Sequence, residues 1–522
     1  MRIAIPQINY KTGDIRANRE QIIQAIQKAR QAKAELVIFP ELAVCGALSE
    51  DWLEREDFIQ ECRMAIEQIA SHCGHIAAIV GAPNLDSSNG IMYNSAYFIQ
   101  DGEVTDGVHK TILSDYDLFN ESRYFVAGED NMPIRYKNKN IRILFDEYEA
   151  EEIDKQDHFI VYIGITPFST DSYNERNRTL SALAQKYRKP FLSVNYTGAE
   201  TAVIFDGNST VYNPQGQLVA RLKAFEEDFA VIDTEQLNKM PVIKNTQEDK
   251  ISLLHKALIL GIKDYFHKNG FKTAVLGLSG GIDSAVVAAL AAEALGAENV
   301  RGLLMPSRFS TDHSVQDALD LVKNTGIRHD LIPIKDIYDQ YLDALKDQFK
   351  DQPFNVAEEN LQARIRGTLV MAISNKFGNI ALNTSNKSEA AVGYGTLYGD
   401  LCGSLGVIGD VYKSDIFKLA RYINREREII PENTIIKAPS AELHPGQKDQ
   451  DSLPPYDELD AILKLYIEEN LSAQAIIEKG HKKEIVDKTI SMVKRNEYKR
   501  AQCPPILRVS DKAFGQGRKY PY

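Results

Sequence analysis

The stretch Gly277-Leu278-Ser279-Gly280-Gly281-Ile282-Asp283-Ser284 lies between an apolar run, Thr273–Gly277, and the Ala-rich segment SAVVAALAAEALG. A strand that passes into a helix through adjacent glycines is a βα turn, the joint from which parallel sheets with helical crossovers are built. The glycines let backbone N–H groups turn toward an anion, and the start of the next helix adds the positive end of its dipole. Such a loop can hold a pyrophosphate. It does not end in GK[ST], which disfavours kinase or GTPase-type γ-phosphate chemistry. In isolation the same residues make a glycine turn with Asp283 or Ser284 as helix N-cap.

The pattern around this loop repeats. A helix from Ile251, the strand Thr273–Gly277, a helix from Ser284, the strand Arg301–Met305, a helix from Ser314 and the strand Asp330–Ile334 predict a doubly wound parallel sheet, with ligands at the carboxyl ends of its strands. The first half also alternates strands and amphipathic helices. It opens with Arg2–Ile5 and a helix after Asn18 in which Ile22, Ile23, Ile26 and Ala29 recur at helical spacing. Further strands are expected at Glu35–Phe39, Ile76–Ala82, Asn94–Ile99, Phe159–Ile163, Phe191–Asn195, Ala202–Phe205 and Ala230–Ile232. These predict an α/β layered domain over 1–236, a polar linker over 237–250 with Pro241, Lys244, Asn245 and Gln247, and a second domain over 251–522. Asp449–Tyr456 (DQDSLPPY) reads as a loop.

Charge and cysteine usage exclude several classes. With 61 Lys+Arg against 73 Asp+Glu the net charge is −12, so the broad basic field needed for non-specific nucleic-acid binding is missing. Cys45, Cys62, Cys73, Cys402 and Cys503 are scattered without metal-ligand spacing, which predicts neither a disulfide framework nor structural zinc and fits a reducing cytoplasm. The start MRIAIPQINYKTGD is no signal peptide, and Ser284–Ala297, the most apolar long window, is too short for a membrane span and carries Glu293. The expectation is a cytoplasmic protein with neither nucleic acid nor membrane as partner.

The SGGIDS loop resembles that of the ATP pyrophosphatase family. The stretches AEENLQARIRG (Ala357–Gly367), NTSNKSE (Asn383–Glu389), GDVYKSD (Gly409–Asp415), KAPSAELHPGQKDQDSLPPY (Lys437–Tyr456) and NEYKRAQCPP (Asn496–Pro505) resemble NAD synthetases across nearly all of 251–522. That resemblance implies an ATP- and Mg²⁺-dependent ligase that joins ammonia to the nicotinate carboxylate of deamido-NAD through an adenylylated intermediate, releasing AMP and pyrophosphate. It also implies a homo-oligomer. Residues Gly277 to Ser284, with Thr384, Lys413 and Ser440, are then the ATP contacts, and Asp283 and Glu389 the Mg²⁺ carboxylates. Asn360, Arg364, Glu389 and Lys499 are the expected deamido-NAD contacts. Taken singly, Glu389 and Lys413 are helix-face charges, Thr384 and Ser440 are caps, and Lys499 pairs with Glu497 or Asp511. Ser385 stands where the family usually has glycine.

The front half resembles the carbon–nitrogen hydrolase (nitrilase) family, as fused in glutamine-dependent NAD synthetases. VIFPELAVCG (Val37–Gly46), YNSAYFIQDGEV (Tyr93–Val104) and HKTILSDYDLFNESRYF (His109–Phe125) carry the likeness. The resemblance implies an αββα sandwich with a Glu–Lys–Cys set, in which the glutamate is Glu41 and the lysine Lys110. The cysteine should end a strand some way after the lysine, yet that place reads Ile143-Leu144-Phe145-Asp146-Glu147-Tyr148, so Phe145 or Asp146 occupies it. Cys45 lies on the wrong loop and reads as a small buried apolar residue. The Gly-Lys pair expected after Thr166-Pro167-Phe168 is also missing, whereas Tyr116 and Glu121 match the glutamine-pocket pattern. The leading expectation is an ammonia-fed synthetase whose front half has lost glutaminase activity, with Glu41 and Lys110 persisting as a buried ion pair. Glutamine use through an unrecognised nucleophile, and a structural or regulatory front half, stand as alternatives.

Overall fold

The computed structural model describes residues 1–200, 202–244, 248–350, 352–515 and 517–518. Asn245 and Gln247 of the expected linker lie outside the described residues. The chain divides into two compact units, Met1–Glu248 and Asp249–Tyr522.

In the front unit two six-stranded sheets face each other. The first runs in the order Asp228–Asp233, Arg2–Gln7, Leu36–Ile38, Ala77–Asp86, Ile91–Gln100, Glu103–His109. The second runs Leu218–Arg221, Thr210–Tyr212, Phe191–Ser193, Phe159–Tyr162, Lys139–Leu144, Ile134–Tyr136. Alternation along each strand assigns its residues to one layer or the other. Ile3, Ile5, Leu36, Ile38 and Ile79 meet Ile141, Ile143, Phe145, Val161 and Leu192 in the core between the sheets. The opposite phase packs outward. Ala4, Val37 and Ala78 lie under the helices Ile15–Gln31 and Glu56–Ala70, and Leu144 and Ile160 under Ser172–Tyr187. This is the αββα sandwich.

The second unit holds a five-stranded, all-parallel sheet in the order Arg328–Leu331, Val300–Leu304, Ala274–Gly277, Ile380–Asn383, Leu405–Gly406. Ala274–Gly277 comes first in sequence and lies at the centre, with later strands added to one side and then the other. Its carboxyl end is thus the topological switch point, where open α/β sheets leave a crevice for ligands. The helix Ile282–Leu295 that follows is apolar on nearly every side, from Ala285 through Ala291, because the helices Lys250–Lys268, Asp312–Thr325 and Lys413–Ile423 pack against it.

Several element limits depart from expectation. The first helix begins at Ile15 and is capped by Asp14, which accepts from the Ala17 N–H. Asn18 is instead an interior residue whose amide bonds the carbonyls of Lys11 and Val44. The helix expected from Ser284 starts at Ile282, with Gly281 as N-cap, so Asp283 and Ser284 stand in its first turn. The stretch Asp449–Tyr456 is only partly loop, since Asp449–Asp451 forms a 3₁₀ turn and a helix starts at Tyr456. Among the described residues no helix is long and apolar enough to cross a membrane.

Candidate active site

The loop after Ala274–Gly277 is shaped by its own hydroxyls. Ser279 Oγ accepts from the Gly281 N–H at 3.2 Å, and Ser284 Oγ donates to Gly281 O at 3.0 Å while accepting from the Ser279 N–H at 3.3 Å. Gly280 has φ +78°, and a Cβ there would lie 2.1 Å from Ser314 O, so only glycine fits. The loop forms one wall of a cavity of about 560 Å³, lined by Gly277, Leu278, Ser279, Gly281, Ile282, Asp283 and Ser284. Gly280 shapes the turn without lining it.

On the other walls stand Thr384, at the end of Ile380–Asn383, and Glu389, Lys413 and Ser440. Lys413 Nζ lies 2.5 Å from Asp283 Oδ2 and 3.3 Å from Glu389 Oε1. Burial pushes the Glu389 carboxyl up to about 8, with Lys413 opposing the shift and Asp283 adding to it. Burial alone lowers Lys413, but the two carboxylates more than reverse this and hold its ammonium charged. Ser440 Oγ donates to Gln447 O at 2.6 Å, bracing the loop that crosses the cavity. Ser385 caps Asn383 through its N–H, 2.9 Å from Asn383 Oδ1.

Asn360, Arg364 and Lys499 fall elsewhere. Asn360 Oδ1 accepts from Thr396 Oγ1, Arg364 Nε donates to Leu397 O, and Lys499 Nζ donates to Gly393 O and Gly395 O at 2.8 Å each. All three brace the 393–397 loop, and none is among the residues lining the cavity. The helix Val356–Phe377 offers the cavity a different face, Ala363, Arg366, Gly367 and Val370. Their spacing is helical, so the signal was in the sequence. Burial lowers Arg366 to about 10, against Asp400 and Glu442. Asp449, which accepts from Tyr394 Oη and Tyr456 Oη, is a further cavity residue that the motifs did not single out.

The front unit holds a second cluster of charge. Lys110 Nζ lies 2.8 Å from Glu41 Oε1 and 2.8 Å from Glu121 Oε2. Asn94 Nδ2 spans the same carboxylates, at 2.6 Å from Glu41 and 3.0 Å from Glu121, and the Ile165 N–H donates to Glu41 Oε2 at 2.9 Å. Two carboxylates share one ammonium in a dry pocket, and burial pushes Glu41 up to about 7 against the pull of Lys110. Two contacts fix the main chain at Phe145. Glu149 accepts from the Phe145 N–H with one oxygen (2.7 Å) and from Thr111 N–H and Oγ1 with the other (2.8 and 2.9 Å), tying Phe145 to the neighbour of Lys110. A Cβ on Gly164, next to Ile165, would lie 2.0 Å from Phe145 O. The main chain at Phe145 is thus tied to Thr111 and packed against Gly164, while its ring lies in the core between the sheets. Asp146 is half-buried and caps the 3₁₀ turn Glu147–Glu152 by accepting from the Tyr148 N–H. Cys45 is fully buried in the core under the outer helices.

Comparison with known proteins agrees with this division. The NAD synthase family matches residues 254–503, and the carbon-nitrogen hydrolase family matches residues 2–239. The chain is 42% identical to the glutamine-dependent NAD(+) synthetase of Synechocystis sp. (strain ATCC 27184 / PCC 6803 / Kazusa), over 99% of this chain and 98% of that one. It is 39% identical to that of Aquifex aeolicus (strain VF5), over 100% of this chain and 99% of that one. Among solved structures, the glutamine-dependent NAD+ synthetase from Acinetobacter baumannii in complex with ADP superposes with TM-score 0.81 at 36% identity, covering 100% of this chain and 98% of that one.

Proposed function

The chain belongs to the family of glutamine-dependent NAD(+) synthetases, carbon–nitrogen ligases, and from that premise we propose that it amidates deamido-NAD with ATP and free ammonia, its glutamine-hydrolysing half being disabled. The observation that carries the ligase half is the meeting of Asp283, Glu389 and Lys413 beside the Gly277–Ser284 loop in one cavity.

The chemistry needs that set. A carboxylate resists ammonia because it is negatively charged and lacks a leaving group. Attack of a nicotinate oxygen on the α-phosphorus of ATP forms a C–O–P link and breaks the bond to the β-phosphate, so pyrophosphate departs. Ammonia nitrogen then attacks the carbonyl carbon, AMP leaves, and the nitrogen gives up a proton. Backbone N–H groups of the loop and the start of Ile282–Leu295 face the departing pyrophosphate, and Lys413 supplies positive charge where negative charge develops. Asp283 and Glu389 suit Mg²⁺, which favours one or two carboxylates together with substrate phosphates. When bound, Mg²⁺ neutralises phosphate oxygens.

The ammonia half rests on the two residues that follow the strand Lys139–Leu144, Phe145 and Asp146, neither of which carries a thiol. The first is a benzyl group buried in the core, with no lone pair to attack an amide, and the second a carboxylate, a much weaker nucleophile than a thiolate. NAD formation from deamido-NAD and ATP, compared with ammonium chloride and with glutamine, tests the reading. Turnover with ammonium alone is expected, and equal saturation with glutamine overturns it. Release of one AMP per NAD tests the adenylylation step. Assembly from identical subunits and residence in the cytoplasm belong to the same reading, and solution mass tests the first.

A further inference from the structure

We infer that Asn386 is a positioning residue that sets the spacing and orientation of Asp283 and Glu389, and so the fit of the divalent cation; this rests on the reading that these carboxylates hold it. Asn386 is fully buried. Its Nδ2 donates to Asp283 Oδ1 at 3.0 Å, its Oδ1 accepts from the Glu389 N–H at 2.9 Å, and its own N–H donates to Glu389 Oε2 at 3.3 Å. The orientation of the amide follows from its partners: the Glu389 N–H can only donate, so the oxygen faces it and the NH₂ is left for the carboxylate.

The four carboxylate oxygens are thus divided between two holders. Asn386 bonds Asp283 Oδ1 and Glu389 Oε2, while Lys413 Nζ bonds Asp283 Oδ2 and Glu389 Oε1. The lysine side is a charge that an arriving cation can displace. The asparagine side is neutral, with the side-chain amide on Asp283 and the main-chain N–H on Glu389, and carries no charge for a cation to displace. Only an amide offers a donor and an acceptor at this reach, one for each carboxylate-bearing element.

The turn that carries Asn386 is itself pinned. Lys387 Nζ, fully buried, contacts Asp410 at 3.0 Å, Glu468 at 2.7 Å and Ser510 Oγ at 2.6 Å. Ser388 Oγ donates to Asp460 Oδ1 at 2.5 Å and accepts from the Lys413 N–H at 2.9 Å. Asn386 also forms a capping box with Glu389 on the helix Lys387–Val392. A role confined to that cap is the competing explanation, and side-chain choice separates the two. Serine and threonine cap nearly as well as asparagine but are too short to keep the bond to Asp283.

The experiment measures cation binding by the full chain loaded with a non-hydrolysable ATP analogue, using Mn²⁺ resonance and displacement by Mg²⁺ or Ca²⁺, for the native protein, Asn386→Ser, Asn386→Thr and Glu389→Gln. Loss of an outer-sphere partner typically costs 10–100-fold in metal affinity, so about a tenfold loss for Mg²⁺ is expected in Asn386→Ser. Ca²⁺ tolerates irregular geometry better than Mg²⁺, so its affinity falls less. Melting temperatures should stay close to native, and KM for ATP should rise. Melting that falls while Mg²⁺ affinity and the Mg²⁺/Ca²⁺ ratio stay native in both Asn386 variants overturns the positioning role. If Glu389→Gln weakens Mg²⁺ binding and the Asn386 variants do not, only this inference fails. If none of the variants changes Mg²⁺ binding, the reading of Asp283 and Glu389 as its holders fails with it.

Discussion

The two units contain clusters of the same make-up. In each, one lysine ammonium lies between two carboxylates and an asparagine hydrogen-bonds both: Lys110, Glu41, Glu121 and Asn94 in front, through the side-chain amide alone, and Lys413, Asp283, Glu389 and Asn386 behind, through the side-chain amide to Asp283 and the main-chain N–H to Glu389. In each, burial pushes one glutamate up, Glu41 to about 7 and Glu389 to about 8. What differs is the neighbour. The rear cluster faces a cavity beside the N-terminus of a long helix, and its Asp283 and Glu389 side chains keep 19% and 16% exposure. The front cluster is closed in more tightly, with Glu41 and Lys110 at 1% and 3%. A charged triad is therefore not a reaction centre in itself. On the proposed reading the rear cluster is the reaction centre and the front one an internal brace.

The sharpest way to break this contrast is to remove each ammonium. Lys413→Met should lower ammonia-dependent kcat/KM by about 10³-fold, the upper range for losing a group that stabilises developing charge, as read by AMP release. Lys110→Met instead strands two buried carboxylates and should destabilise the front unit by about 3 kcal/mol, measured as an earlier first transition in urea. A large catalytic loss with no change in unfolding at Lys110 would erase the distinction.

A subtler test uses pH. The folded chain raises Glu41 from an ordinary 4.5 to about 7, so over that window the fold binds this proton more tightly than the unfolded chain does. The contribution to stability therefore falls as pH rises from about 4.5 to about 7 and levels off above, with a slope of at most about 1.4 kcal/mol per pH unit. Glu41→Gln should flatten that slope in melts between pH 5 and 8. A slope unchanged by the substitution would assign the proton elsewhere. The smallest effect is a gain. Of Phe145→Cys and Asp146→Cys, the one that restores a thiol at the vacated position should yield trace glutamine hydrolysis above the native background; hydrolysis by neither would refute a loss by a single substitution.

The sequence made the rear site legible because its chemistry is written in contiguous words. SGGIDS lies on one turn, and Glu389 and Lys413 stand in short stretches whose family likeness brought them to Asp283 from 106 and 130 positions away. The partners that orient those words were harder to read. Nothing local marks Glu121 as the second carboxylate on Lys110, or Glu149 as the bridge from Phe145 to Thr111, since both depend on loops meeting across a sandwich. Phe145 takes the inward phase of Ile141 and Ile143 while Asp146 caps the next 3₁₀ turn, a division that a strand ending at Leu144 is too short to announce. Asn360 and Arg364 share a helix with Ala363, Arg366, Gly367 and Val370, and only the rotation of that helix decides which group faces the cavity. Short strands such as Ile134–Tyr136 and Thr210–Tyr212 gave too few residues for a period to show.

The buried amine of Lys387 ties the assembly of this site to the order of synthesis. Its partner Ser510 lies 123 positions downstream. A nascent chain emerging from the ribosome can pair that lysine with Asp410 and Glu468 first, and completes its set of partners only when Ser510 has been translated. The turn that joins the two carboxylates is thus among the last parts of the protein to be completed, and a prematurely terminated product would carry the whole phosphate loop yet never finish the site beside it.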